Sequence, residues 1–111
     1  MSRIEALLAH LATHPADRFA MYSLALEHKK AGDVAAAEAA FQALLAAHPD
    51  SGAGHLQLGN LLLGAGRTAD AAAAWRRGLD ALSGLGTADA RRSRGEIEAA
   101  LDEVDDGRGT A

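Results

Sequence analysis

Apolar and polar positions along the chain fall into six stretches with helical spacing, separated by short breaks that carry glycine, proline or a capping residue. The first opens with Ser2-x-x-Glu5, a capping box in which each side chain satisfies the other residue's backbone N–H. Ile4, Leu7, Leu8 and Leu11 then form an apolar face that runs to about Thr13. From about Asp17 to Ala31, Met21, Leu24, Ala25 and His28 make an i, i+3, i+4, i+7 stripe, and Gly32 provides the stop. Asp33 is a good N-cap for a third helix to about Ala47, with Val34, Ala37, Phe41, Leu44 and Leu45 inward. Pro49 ends it, because the residue before proline disfavours helix. Ser51 caps a fourth helix that buries Leu58, Gly59 and Leu62 and stops at Gly66. Thr68 is expected to cap a fifth, burying Ala71, Trp75, Gly78, Leu79 and Leu82. After a turn at Gly84 and Gly86, a sixth runs from about Ala88 to Val104, with Ala90, Ile97, Leu101 and Val104 apolar or small among Arg, Asp and Glu.

The stretches repeat. A shift of 34 residues lays Leu24 on Leu58, Ala25 on Gly59, Gly32 on Gly66, Ala37 on Ala71 and Phe41 on Trp75. The same shift carries Met21 to His55, His28 to Leu62 and Pro49 to Ser83. Run backwards, it returns His48-Pro49 to His14-Pro15 and Phe41 to Leu7. Small, large and turn residues align together, which marks a repeat of two antiparallel helices. Small residues at 25, 37, 59 and 71 let the helices approach closely, and Phe41 and Trp75 fill the wedge beside them.

These residues resemble the tetratricopeptide repeat, with its pattern W-x2-L-G-x2-Y, then A-x3-F, then P. Repeat 1 reads Met21-x2-Leu24-Ala25-x2-His28, Ala37-x3-Phe41, Pro49; repeat 2 reads His55-x2-Leu58-Gly59-x2-Leu62, Ala71-x3-Trp75, with Ser83 in place of proline. The resemblance is at full strength from about Arg18 to Ser83, and His28 and His55 are read as packed or hydrogen-bonded rings in place of the family's aromatics. It implies an all-α, right-handed helical-hairpin solenoid of about 2.5 repeats and about six helices, closed by a C-terminal capping helix. On that frame residues 1–106 are one domain: a half-repeat helix at 1–14, repeat 1 at 18–51, repeat 2 at 52–85 and a capping helix at 88–105, followed by a flexible tail at 107–111.

Composition narrows the function classes. Ala supplies 28 residues and Leu 16 against four Ile plus Val, and aromatics are 4%, which suits helices and disfavours sheets. With 111 residues there is room for one small domain. A net charge of −4 argues against nucleic acid as a partner, since phosphate binding needs clustered Lys and Arg. Cysteine is absent, which removes disulfides and thiolate chemistry. No apolar run approaches the roughly 18 residues of a membrane span. Together these point to a cytoplasmic protein without membrane contact, and the Ala, Gly and Arg richness suits a bacterium with a GC-rich genome.

The resemblance also implies where a partner sits. Repeats of this family bind partner segments on the concave surface of the first helices, one step around from the buried stripes. The expected groove residues are Phe19, Tyr22, Leu26, Lys29 and Lys30 in repeat 1, and Leu56, Gln57, Asn60 and Leu63 in repeat 2. An apolar band with polar neighbours marks an interaction site, although cover by neighbouring helices is the competing reading. The family's carboxylate clamp is incomplete, with Leu26 where asparagine is wanted, Asn60 in the equivalent place of repeat 2, and Lys29 and Lys30 as cations. A hydrophobic or amphipathic protein segment or peptide is therefore the expected ligand. Arg91, Arg92 and Arg94 form a secondary basic patch, and acid follows base along that helix, against the preference of the helix dipole. The patch reads as a solvated face, as a border that attracts an acidic partner, or as one half of a homodimer contact.

His10 and His14 stand four apart, but no third ligand completes a metal motif, so neither metal nor cofactor is expected. The serines fall mostly in caps and turns, with no base and orienting partner in a recognisable arrangement, so no catalysis is expected. The function expected is a non-catalytic protein-interaction adaptor; the alternative is a self-associating structural or assembly subunit.

Overall fold

The structure, a computed structural model, describes the backbone of residues 2–109 and the side chains of 2–104. The expected tail at 107–111 lies outside what is described of the side chains and, at 110–111, of the backbone. Among the described residues there are six helices and no strand: α1 Arg3–Thr13, α2 Arg18–Lys30, α3 Val34–Ala47, α4 Gly52–Gly64, α5 Thr68–Leu82 and α6 Ala88–Gly109. They form two compact units, Met1–Pro49 and Asp50–Ala111.

In the first unit α2 packs on α3, and α1 packs on α2. The Ser2–Glu5 capping box opens α1. Asp17 caps α2, its Oδ1 accepting from the N–H groups of Phe19 at 3.0 Å and Ala20 at 3.2 Å. Its other oxygen accepts from His10 Nε2 at 2.7 Å, which ties α1 to the start of α2. Arg3 and Glu27 form a second tie between the same helices at 2.7 Å. His48, at the end of α3, donates from Nε2 to the Ala16 carbonyl at 2.6 Å and fastens the turn between α1 and α2. The core is thin. Among its described residues only Ala20, Ala25, Ala37, Phe41 and Leu44 are buried, while Met21, Leu24 and His28, expected inside, are half-buried. The reason is the cover available to α2, because α1 is 11 residues long and has none of its own residues buried.

In the second unit α4 packs on α5, and α6 packs on both. Leu58, Leu61, Leu62, Trp75, Leu82, Ile97, Leu101 and Val104 are all buried, together with Ala71, Ala72, Ala74 and Ala90. All four inward positions expected of α6 are among them. Ser51 caps α4 through Oγ, which accepts from the Gly54 N–H at 3.1 Å. The cap expected at Thr68 lies one residue earlier, at Arg67. The repeat explains the shift, because Arg67 occupies the place of Asp33 and Thr68 that of Val34. Arg67 cannot accept from a backbone N–H, and its Nε instead donates to Asp70 in the first turn at 2.9 Å.

The two repeats share local geometry down to the dihedral angles. Gly32 and Gly66 have φ of +79° and +80°, in the left-handed region where glycine is needed. The next residues, Asp33 and Arg67, have φ of −89° and −95°. His14 and His48, the C-caps of α1 and α3, have φ −133° and −136° with ψ 68° and 74°.

Within that shared frame the sizes are exchanged. Repeat 1 has Ala25 with Phe41; repeat 2 has Gly59 with Trp75, and all four are buried. A methyl group on Gly59 would overlap the indole of Trp75. That indole is held in place, since Nε1 donates to the Leu56 carbonyl at 3.2 Å. At a second pair of register positions Met21 and Leu44 of repeat 1 become His55 and Gly78 in repeat 2, where a Cβ on Gly78 would stand 2.7 Å from His55 Cβ.

Two predictions follow from this packing. Gly59→Ala gains up to about 1 kcal/mol of helix propensity, but the overlap with an immobilised ring costs more, for a net loss of about 1–3 kcal/mol in urea unfolding. Trp75→Phe in the Gly59→Ala background recovers part of that loss, and additive effects of the two substitutions would show that the residues do not share the space. The second concerns acid. The His10 hydrogen bond, helped by the backbone N–H groups, lowers the Asp17 carboxyl below its ordinary value of 3.8. A lowered carboxyl contributes stability that is complete above its unfolded value and is lost as pH falls through the folded one. Asp17→Asn is therefore expected to flatten the acid limb of the unfolding midpoint below about pH 4 relative to the parent chain.

Candidate partner-binding surface

The first unit carries its candidate residues on α2. Phe19, in the first turn beside the Asp17 cap, is 81% exposed. Tyr22 is half-buried, with its ring edge-on to Phe41 at a centroid distance of 6.4 Å. Burial pushes its phenol above the ordinary value of 10.0, so it stays a neutral hydrogen-bonding group at physiological pH. Leu26 is half-buried one turn further on, Lys29 is half-buried and engaged within the fold, and Lys30 is exposed. Both lysines, with His28, occupy the last turn of α2, where cations oppose the partial negative charge of the helix end. Part of the reason for their placement is thus helix stability.

The second unit carries its candidates on α4. Leu56, Gln57 and Asn60 are half-buried and Leu63 is 40% exposed. Leu56 is anchored through its carbonyl by Trp75, while its side chain keeps partial access to solvent. Gln57 is engaged within the fold. The two helices therefore present different surfaces. On α2 one large aromatic stands almost free, whereas on α4 the apolar side chains are recessed except at Leu63.

The arginines of α6 also make contacts within the fold. Arg94 Nη1 donates to the carbonyl of Leu82, the last residue of α5, at 3.3 Å. Arg91 Nη1 donates to the Gly86 carbonyl at 2.9 Å, and Arg92 pairs with Asp89 in the preceding turn at 3.3 Å. A helix end leaves carbonyls without intrahelical partners, and two of these arginines reach back to that region. Arg91 and Arg94 stand at the start of α6, against its dipole, where they reach the turn after α5 and the end of α5. Sequence spacing did not show this, since the contact joins residues 12 apart across a turn.

Sequence reasoning also passed over Leu8, which it placed on an apolar face and which is 51% exposed. Its signal was available, because α1 has four aliphatic residues and few positions on which to bury them. His10 and His14 stack with ring centroids 4.5 Å apart, one bonded to Asp17 and the other to the Thr13 hydroxyl. Among the described residues no group of three or more His, Cys, Asp or Glu could hold a metal ion, and no helix is long and apolar enough to cross a membrane.

Comparison with known proteins agrees with this architecture. The family model described as tetratricopeptide repeat matches residues 22–85 and again 56–111. The second match places α6 within the repeat pattern. Among solved structures, a crystal structure of a tetratricopeptide repeat domain protein from Salinibacter ruber is similar at 29% identity and a TM-score of 0.67, over 80% of this chain and 96% of that one. A solution structure of a tetratricopeptide repeat domain protein from the same organism is similar at 30% identity and a TM-score of 0.71, over 81% of this chain and 88% of that one. No curated protein matches the sequence.

The exposures separate residues kept for the fold from those free to serve a partner. Phe19→Ser is expected to change unfolding free energy by no more than about 0.5 kcal/mol, as for a surface position. Tyr22→Ala, which removes a half-buried ring against Phe41, is expected to cost about 1–3 kcal/mol. Equal costs in urea unfolding would show that Phe19 belongs to the core.

Proposed function

Because the chain belongs to the tetratricopeptide repeat family, whose members generally act as protein-interaction modules, we propose that it is a non-catalytic adaptor that takes an apolar or amphipathic segment of a partner protein, with α2 in the first unit and α4 in the second each offering candidate contacts. The observation that carries this reading is Phe19. An aromatic ring 81% exposed on a first helix has no structural role to explain it, and aromatic side chains dominate the energetics of interfaces. Tyr22 and Leu26 extend the same helix, and Leu56, Asn60 and Leu63 supply the contacts on α4, with Lys30 a cation at the end of α2. A charge-reading clamp is disfavoured, since Leu26 stands where an amide is wanted and the lysines sit at a helix end that already favours them. The same reading places the protein in the cytoplasm, with no cofactor and no nucleic acid among its ligands.

Phe19 and Leu63 are the two large apolar candidates that the fold leaves exposed, so they give the cleanest test. Peptides selected from a random display library by the parent chain are expected to be apolar or amphipathic, with affinities on the order of micromolar. A Phe19→Glu, Leu63→Glu double variant that keeps its helical circular dichroism is expected to lose at least about tenfold in affinity for them. Peptides that bind the folded double variant as well as the parent would move the site off these helices. Selection of acidic C-terminal peptides instead would restore the carboxylate-reading alternative.

A further inference from the structure

In the first unit α1 packs on α2, and no residue of α1 is buried. By contrast α4 and α5 each bury six residues, and α3 buries three. What holds α1 is the half-buried trio Ile4, Leu7 and Leu11 together with two polar ties. Arg3 pairs with Glu27 and His10 with Asp17, both at 2.7 Å and both in contact with solvent. We propose that α1 is a strap: it releases from α2 on its own, turning about residues 14–16 while α2 and α3 stay folded, and so uncovers a second face of α2.

The two ties fix which face that is. They run antiparallel, joining the start of α1 to the end of α2 and the end of α1 to the cap of α2. Asp17 and Glu27 therefore bracket the side of α2 turned toward α1, and helical spacing puts Ala20 and Leu24 on the same side. Ala20 is buried there and Leu24 half-buried. Phe19 and Leu26 lie on another side of the helix by the same spacing. Release of α1 thus exposes two carboxylates with small and aliphatic residues between them, a face distinct from the one that carries Phe19.

Local geometry lets α1 move without α2. Asp17 caps α2 through Oδ1, which accepts from the N–H groups of Phe19 and Ala20, whereas His10 uses Oδ2. Losing His10 therefore leaves the cap in place. His48 Nε2 donates to the Ala16 carbonyl and fastens the entry of α2 to the end of α3. Just before that clamp the backbone leaves the helix, with His14 at φ −133° and ψ 68° and Pro15 next. Exposed ion pairs contribute little to stability, and a helix of 11 residues is marginal in water by itself, so α1 melts once released. Openings of this kind cost less than global unfolding and are confined to the segment with the fewest buried contacts.

Hydrogen exchange on the parent chain at neutral pH tests the release. Backbone amides of residues 7–13 should exchange at least about tenfold faster than the slowest amides of α3, with a weaker dependence on added urea. Equal protection and equal urea dependence in α1 and α3 would mean that the unit opens as a whole, and would overturn the proposal. His10→Ala should speed exchange in α1 by about twofold to fivefold, the worth of one exposed pair, and leave α3 unchanged. Equal acceleration in both helices, or none in α1, overturns the strap. Thiol labelling reads the uncovered face directly, since the chain has no cysteine of its own. A thiol reagent should modify Ala20→Cys about twofold to fivefold faster once His10→Ala is added, and an unchanged rate overturns the uncovering of α2. Failure here leaves peptide binding by α2 and α4 untouched, because that test reads Phe19 and Leu63.

Discussion

Everything in the fold depends on two helices of a repeat coming close enough for one large side chain to fill the space that small ones leave. In repeat 2 the constraint is severe, because Trp75 occupies the volume a Cβ on Gly59 would need and is pinned by a hydrogen bond to the carbonyl of Leu56. In repeat 1 a smaller ring, Phe41, goes with a larger neighbour, Ala25. At this pair of positions the register conserves the sum of the two volumes rather than either residue. Close-packed interiors tolerate such exchanges when total volume is kept and resist single changes of either partner. The same constraint explains how the chain can be more than a quarter alanine and still specify one structure, since a few large side chains carry the shape information.

That arrangement has a consequence for where binding capacity can reside. The second unit spends its aliphatic residues on a core sealed by α6, whose Ile97, Leu101 and Val104 are all buried. The first unit has only α1 to cover α2, and α1 buries nothing fully. Leu8 and Phe19, the two most exposed large apolar side chains, both lie in this thinly covered unit. Apolar exposure concentrated where packing is thinnest is what an interaction module needs, since a surface satisfied by its own fold has little to gain from a partner.

Much of the fold was legible in the sequence because helix periodicity, turn glycines and a fixed repeat each report the same thing independently. The inward face of α6 was read from spacing alone, and all four of its positions are buried. The cap of α5 was misplaced by one residue because Thr68 is a better capping residue than Arg67, and local propensity was weighed above the register. The register wins because Gly66 sets the turn, and one residue then remains before the helix, as after Gly32. The roles of Arg91 and Arg94 were not legible for a different reason. A charge run says where cations are, but which carbonyls they reach depends on how the chain folds back after Leu82.

The candidate surface was legible as a set of positions but not as a set of exposures. Phe19, Tyr22 and Leu26 look alike in a helical pattern, yet one is nearly free and two are half-buried. The difference comes from what packs on each side of α2, and periodicity along one helix carries no information about the size of its neighbours. The same limit applies to α1, where four aliphatic residues promised a buried stripe and delivered none. An amphipathic helix predicts that something covers its apolar face, and the identity of the cover is a separate question. For α3 and α5 the answer lies within the chain, since each packs on the first helix of its own repeat.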